Sequence, residues 1–401
     1  MLWAAPRALT RFSGYNIQKE FFSAEPITRT AASFSASRSR SAGLTKEQPM
    51  RIEDLETPVP VIDLDRVEHN LVKMQAYCDR HKLRLRPHIK THKIPGFAHR
   101  QLELGAHGIT CQKLGEAEVM ADAGLDDIFI SYPLIGPAKA LRLAELSRRA
   151  KVSVGIDNPM ALETIAEAAR ASNNAIGVLI EFDSGNKRTG VTSVAQALEL
   201  ARRIQDIPGL RFDGLMTYPS TAATVTFVAE AKRVFSEAGI AIAVVSGGGT
   251  PNAWAAHEIT GLTEVRVGTY IYHDRATVAA GAASLEECAL HLHATVISRP
   301  TEDRAVIDAG SKSLSSDGID PLFGKGYGLI LGYEDAVIER LNEEHGVVDL
   351  SHCAVKPVVG ERLRILPNHV CVVSNLHDEV AVSRGGDLVD LWRVAARGKT
   401  R

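Results

Sequence analysis

Residues 109–154 read ITCQKLGEAEVMADAGLDDIFISYPLIGPAKALRLAELSRRAKVSV. Three short apolar runs, at 109–111, 128–130 and 152–154, alternate here with amphipathic stretches over 114–123 and 138–146. Runs of this length, separated by helical segments of about 10–15 residues, predict βα units that feed a parallel sheet. The same beat extends in both directions. Upstream stand an extended run at 59–62, an amphipathic stretch through Val67, Leu71, Met74 and Cys78 with Asp65 as its cap, a strand at 83–86 and a helix over 97–104. Downstream, extended runs follow at 176–182, 212–216, 242–245 and 265–267. About eight such units suit a TIM-like (β/α)8 barrel. The rival doubly wound open sheet would carry G-x-G-x-x-G after its first strand, and this chain carries none there.

The rhythm changes after residue 283. Runs at 291–296, 305–307, 362–365 and 370–373 are extended, with turn residues rather than regular helices between most of them, which predicts a mainly antiparallel β domain. Residues 1–49 differ from both parts. Ser33-Phe34-Ser35-Ala36-Ser37-Arg38-Ser39-Arg40-Ser41 is low in complexity and too poor in apolar surface to fold alone. It reads as a transit-like extension or as a start assigned too early, with Met50 opening the protein. The expected organisation is therefore 1–49 disordered, 50–283 barrel and 284–401 β domain, in the cytoplasm, or in an organelle if the extension is a transit peptide.

Composition excludes several classes. The 401 residues carry 46 Lys and Arg against 48 Asp and Glu, a net charge of −2, without the basic excess of a nucleic-acid binder. No apolar run approaches the roughly 18 residues of a membrane span. Cys78, Cys111, Cys288, Cys353 and Cys371 are odd in number and scattered, and read as reduced thiols rather than a disulfide framework.

Four constellations have chemical potential. Arg86-Pro87-His88-Ile89-Lys90-Thr91-His92-Lys93 ends an early barrel strand, at the face where barrels place active sites. A lysine there forms a Schiff base once neighbouring cations and desolvation lower its proton affinity, and Arg86, His88, His92 and Lys93 are the candidates for that field. The competing reading is a basic surface loop. Ser246-Gly247-Gly248-Gly249-Thr250 follows a late strand, and its backbone N–H groups suit a phosphate, with Arg266-Val267-Gly268-Thr269-Tyr270 completing the cup. The alternative is a plain tight turn. Arg188, in the loop 183–190, faces a ring nitrogen or an acid, or is a solvated loop arginine. In Pro367-Asn368-His369-Val370-Cys371, residues two apart on a strand share a face, so His369 and Cys371 could grip one divalent cation. Two ligands make a weak metal signal; the pairs His291/His293 and His352/Cys353 are read as structural.

Together, R-P-H-x-K-T-H-K and P-N-H-x-C resemble the fold-type III pyridoxal-phosphate enzymes of the D-threonine aldolase and D-serine dehydratase group, related to alanine racemase. The resemblance covers the chain from about Met50 onward. It implies that Lys90 holds pyridoxal 5'-phosphate, that Arg188 meets its ring nitrogen and that Tyr218 lies beside it. It also implies that Ser246, Gly247, Gly248, Gly249, Gly268, Thr269 and Tyr270 belong to the phosphate turns. His369 and Cys371 would hold a divalent metal, zinc or manganese, near the β-hydroxyl of a small D-amino acid, in a homodimer. The implied activity is aldol cleavage of D-threonine to glycine and acetaldehyde, with dehydration of a D-3-hydroxy amino acid as the alternative. A non-catalytic cofactor carrier, a racemase and a metal hydrolase are weaker readings, the carrier because it needs neither the β domain nor the metal pair. Many members follow the tyrosine with Gly-His. This chain has Tyr218-Pro219-Ser220-Thr221 instead.

Overall fold

A computed structural model describes residues 50–401 apart from 320, 322 and 323. The expectation for residues 1–49 lies outside the described residues. The chain opens with β1 (Val59–Asp63) and α1 (Leu64–Arg80). The barrel strands are β2 (Arg84–Leu85), β3 (Ile109–Cys111), β4 (Asp127–Ile130), β5 (Lys151–Ile156), β6 (Ile176–Glu181), β7 (Leu210–Met216), β8 (Val244–Gly247) and β9 (Glu264–Val265). They form one eight-stranded sheet in the order β2-β9-β8-β7-β6-β5-β4-β3, and the registers given between neighbours are parallel. A parallel bridge from His88 to Thr110 closes the ring. The expected barrel is present.

Helices α2 (Pro95–Glu103), α3 (Leu114–Asp122), α4 (Pro137–Ser147), α5 (Pro159–Ser172), α6 (Val194–Asp206) and α7 (Ala222–Glu237) connect successive strands. Their ends follow local chemistry. Asn158 caps α5 by accepting from the Ala161 N–H, Pro159 fills a first-turn position, and Asn173 ends the helix at φ 57°. All six residues of β6 are buried, as expected for a strand covered on both faces. After α8 (Arg275–Ala279) come β10 (Leu290–Thr301), β11 (Arg304–Ile307), α9 (Ser311–Leu314), β12 (Leu329–Ile330), β13 (Val337–Leu341), β14 (Gly346–Asp349), β15 (Arg362–Leu366), α10 (Val370–Leu376), β16 (Glu379–Arg384) and β17 (Asp387–Arg393). Pairing of β11 with both β10 and β14 closes β10–β15 into a small antiparallel barrel around Leu292, Val296, Ile307, Ile338, Val348 and Ile365. Among the described residues no helix is long and apolar enough to cross a membrane.

Three local expectations need correction. The run at 59–62, read as part of the barrel's beat, instead joins the other sheet, antiparallel to β10 and parallel to β16. An apolar extended run advertises burial but not its partner, and either sheet could bury it. The cap of α1 is Asp63, which accepts from the N–H groups of Asp65 and Arg66, rather than Asp65. Finally, the run at 370–373 is the start of helix α10, not a strand. Val370 and Val373, three apart, are fully buried in the barrel's core cluster, and that helical spacing prevails over valine's β preference. Val380, Val382, Val394 and Ala396 enter the same cluster, so the C-terminal elements seal onto the barrel.

Candidate active site

A cavity of about 230 Å³ lies at the C-terminal ends of the barrel strands, with Lys90, Arg188, Tyr218, Gly249, Gly268, Thr269 and His369 on its wall. Lys90 sits on the single 3-10 turn Ile89–Thr91, just after β2. The preceding His88 caps this turn, its Nδ1 accepting from the Lys90 N–H at 3.4 Å. Lys90 Nζ lies 5.9 Å from the Tyr218 ring centroid, and the Arg188 guanidinium lies 5.0 Å from the same centroid. Both side chains thus lie over the Tyr218 ring. Lys93 turns away and makes a buried ion pair with Glu116 Oε1 at 2.6 Å. The structure therefore separates the two lysines of the motif.

The positive field has a different origin from the one expected. Arg86 is neutralised by Asp127 at 2.6 Å and Glu264 at 3.0 Å, and burial pushes His92 down to about 3, which leaves it neutral. Burial, reinforced by Lys90 and Arg266, also holds His88 well below its ordinary value. Its Nε2 meets Gln112 Oε1 at 3.2 Å and Ser131 Oγ at 3.3 Å. The local charge comes from Arg266 instead. Burial lowers that guanidinium to about 10, so it stays protonated at neutral pH, and it donates to Ser246 Oγ at 2.6 Å and Thr217 O at 2.9 Å.

Two turns complete one wall. Gly249, at φ +126°, precedes the 3-10 stretch Thr250–Glu258, and Gly268 precedes the turn Thr269–Ile271. Among the described residues, no protein acceptor bonds the backbone N–H of Gly249, Thr250, Gly268 or Thr269. Unpaired donors at two adjacent helix starts make a cradle for an anion. A Cβ on Gly268 would crowd Thr91 Oγ1 at 2.9 Å, so glycine lets this turn approach the Lys90 turn. The remaining turn residues stand behind the cradle. Ser246 donates its hydroxyl to Glu264 Oε1 at 2.6 Å, a Cβ on Gly248 would meet the Arg266 carbonyl, and Gly247 packs against Ser220. The Tyr270 ring is buried, its hydroxyl accepting from Gln101 Nε2 at 2.8 Å.

His369 and Cys371 come together, but through the first turn of α10 rather than through strand alternation. His369 Nδ1 contacts Asp274 Oδ2 at 2.9 Å, and the same oxygen accepts from the Val370 N–H at 3.2 Å. Asp274 also caps α8 through the Thr277 N–H. Cys371 Sγ lies 3.1 Å from Thr91 Oγ1. Burial works against charge on both groups, yet the Cys371 sulfur and the Asp274 carboxylate raise His369 to about 11, while His369, Lys90 and Thr91 draw Cys371 below the ordinary thiol range. Both shifts favour a proton on His369 over one on Cys371. Among the described residues no group of three or more His, Cys, Asp or Glu side chains is arranged around a metal position, so the pair supplies two donors by itself. A thiolate with an imidazole fits a zinc-like cation. A cavity-facing lysine beside an anion cradle likewise fits a phosphate-bearing aldehyde cofactor.

Gln112, Ser131, Asp274 and Thr277 also line the cavity and escaped the sequence reading. Only Asp274 had a local signal, the D-x-x-T spacing of a helix cap at 274–277.

The chain matches the family described as alanine racemase, N-terminal domain, over residues 62–276, and a serine dehydratase domain family over 289–383. It is 38% identical over 364 residues to a D-threonine aldolase of Arthrobacter sp, covering 86% of this chain and 94% of that one. It is 34% identical over 348 residues to D-threo-3-hydroxyaspartate dehydratase of Delftia sp. strain HT23, covering 79% and 91%. Among solved structures, D-threonine aldolase from Filomicrobium marinum superposes with a TM-score of 0.79 at 32% identity, covering 89% of this chain and all of the other. A metal-free form of a D-threo-3-hydroxyaspartate dehydratase variant gives 0.78 at 31% identity, covering 86% and 98%.

A closed barrel with a lysine at its mouth and a β domain across it defines the alanine racemase-like class of folds. Within that class, the chain belongs to the lyase family that contains D-threonine aldolase and D-threo-3-hydroxyaspartate dehydratase.

Proposed function

We propose that this protein is a pyridoxal-phosphate- and divalent-metal-dependent lyase for D-3-hydroxy amino acids, cleaving D-threonine to glycine and acetaldehyde. The observation that carries the reading is that Lys90, from the barrel, and His369, from the β domain, line one cavity. A substrate amine directed to the lysine side then has its β-hydroxyl within the same cavity as His369.

Lys90 would hold the cofactor covalently, and the N–H groups of Gly249, Thr250, Gly268 and Thr269 would bind its phosphate. Arg188, a donor without acceptor capacity, would meet the ring nitrogen, and Tyr218 would pack beside the ring. When bound, the cofactor supplies an electron sink for the charge left on the substrate's α-carbon. The cation held by His369 and Cys371 supplies Lewis acidity for the β-oxygen. Asp274 takes the His369 Nδ1 proton into a hydrogen bond and leaves Nε2 as the donor atom. Lys90 is the cavity amine able to carry a proton to the α-carbon as glycine forms. In balance, the Cα–Cβ bond breaks, the β-hydroxyl loses its proton, and the α-carbon gains one. A homodimer belongs to the same proposal, and light scattering tests it.

One observation favours the dehydratase as second reading. The donor beside His369 is a cysteine sulfur, as in the zinc-dependent dehydratases that the sequence resembles. Ser220 supplies no histidine after Tyr218; its buried hydroxyl accepts from the Gly248 N–H at 2.9 Å. Product analysis with D-threonine, with and without added zinc or manganese, separates the two. Glycine with acetaldehyde supports aldol cleavage; 2-oxobutyrate with ammonia replaces it by dehydration.

A further inference from the structure

One sulfur atom touches both turns that would hold the cofactor. Cys371 Sγ lies 3.1 Å from Thr91 Oγ1, and Thr91 closes the three-residue turn that carries Lys90. It lies 3.9 Å from Thr269 Oγ1, and Thr269 opens the turn behind Gly268, where the cradle N–H groups sit. Thr91 is fully buried and has little freedom to move. Gly268 faces it so closely that an added Cβ would crowd its hydroxyl, and two residues on, the Lys93 carbonyl is held by the Ala396 N–H at 3.0 Å.

We propose that Thr91 couples the two sites, so that a divalent cation at His369 and Cys371 and pyridoxal phosphate at Lys90 strengthen each other's binding. The inference rests on the cofactor and metal reading above. A cysteine that binds a cation is fixed in place. The Thr91 hydroxyl, 3.1 Å from that sulfur, is then held against a partner that no longer moves. Fixing Thr91 fixes the backbone of a turn only three residues long, and therefore the root of the Lys90 side chain. Because coupling between sites is reciprocal, cofactor binding must tighten the metal by the same factor. Thr91 acts through other groups and is a positioning residue.

The test measures two dissociation constants in the full-length protein. Zinc affinity is read by competition with a chromogenic chelator, and pyridoxal phosphate affinity by protein fluorescence, each with and without saturation by the other. We expect about tenfold tightening in both directions, within the usual range for coupled sites. Thr91→Val, which keeps the side chain's shape and removes the hydroxyl, should reduce the factor to near one, and Thr91→Ser should restore most of it. Circular dichroism verifies that the variants fold, and Thr91→Ala, which also lacks the hydroxyl, carries the test if valine does not fold. Zinc and cofactor that both bind the wild type with independent affinities would overturn the coupling and leave the functional reading intact. Tenfold coupling retained in Thr91→Val would overturn the role of Thr91. Zinc binding unchanged by His369→Ala would remove the metal reading, and the inference with it.

Discussion

The two ends of the barrel both hold charged cavities, and they differ in how the charges are matched. At the end away from the active site, a cavity of about 340 Å³ is lined by Arg86, Asp127, Lys151, Arg211, Asp213 and Glu264. There Arg86 meets Asp127 at 2.6 Å and Glu264 at 3.0 Å, Lys151 meets Asp127 at 2.8 Å, and Arg211 meets Asp213 at 2.5 Å. At the mouth the cavity is smaller, about 230 Å³, but its groups are differently disposed. Lys90 faces an aromatic ring, Arg188 has its carboxylate no closer than 3.9 Å, and four backbone N–H groups lack a protein partner among the described residues. Size would point to the wrong end. Matched charges hold the barrel together, and unmatched donors mark where a ligand belongs.

The contrast is sharpest between lysines. Lys90→Ala should abolish turnover and the visible absorbance of bound pyridoxal phosphate while leaving the melting temperature nearly unchanged. Lys93→Ala should do the reverse, because it strands the buried Glu116 carboxylate. Absorbance spectra and thermal melts on both variants test this; loss of cofactor in Lys93→Ala alone would invert the assignment.

A second test concerns the paired end. Arg86→Met leaves Glu264 buried without its guanidinium, a class of change that costs about 3–5 kcal/mol. Urea denaturation should show that loss, while turnover per folded molecule stays within about twofold.

Smaller in effect is Asp274→Asn. Removing the carboxylate behind a metal-binding histidine typically lowers metal affinity by about 10–100-fold. Chelator competition should find a value in that range, with the cofactor still bound.

The mildest perturbation, one that changes no residue, is pH. Burial holds His92 and His291 down to about 3, and His273 and His293 down to about 4. In the unfolded chain these rings protonate near 6.5. The unfolded state therefore binds protons first, so their contribution is complete above about pH 6.5 and is lost as pH falls towards their folded values. Each ring adds a slope of up to about 1.4 kcal/mol per pH unit. Denaturation midpoints measured between pH 7 and 4.5 should fall steadily; a flat profile would show that these rings are solvated.

Much of the barrel was legible because each strand and helix has its own apolar period, and period survives without knowledge of partners. The two turns of the cradle were legible because glycine is demanded where backbones approach. Partnership was not legible. The run at 59–62 reads equally well in either sheet, and Val370-Cys371-Val372-Val373 fits a strand until Val370 and Val373 find the barrel core. His369 and Cys371 are neighbours through a helix start, not through the strand alternation that first paired them. Asp274 and Arg266 illustrate the other limit. One looks like a helix cap and the other like part of a phosphate turn, and only the fold brings Asp274 to His369 and sets Arg266 on the cavity wall.

The most direct test of the account is to incubate the protein with pyridoxal phosphate, reduce with borohydride and map the pyridoxyl-bearing peptide by mass spectrometry. The account requires the label on Lys90. Label on Lys93, or on surface lysines without preference, would contradict it.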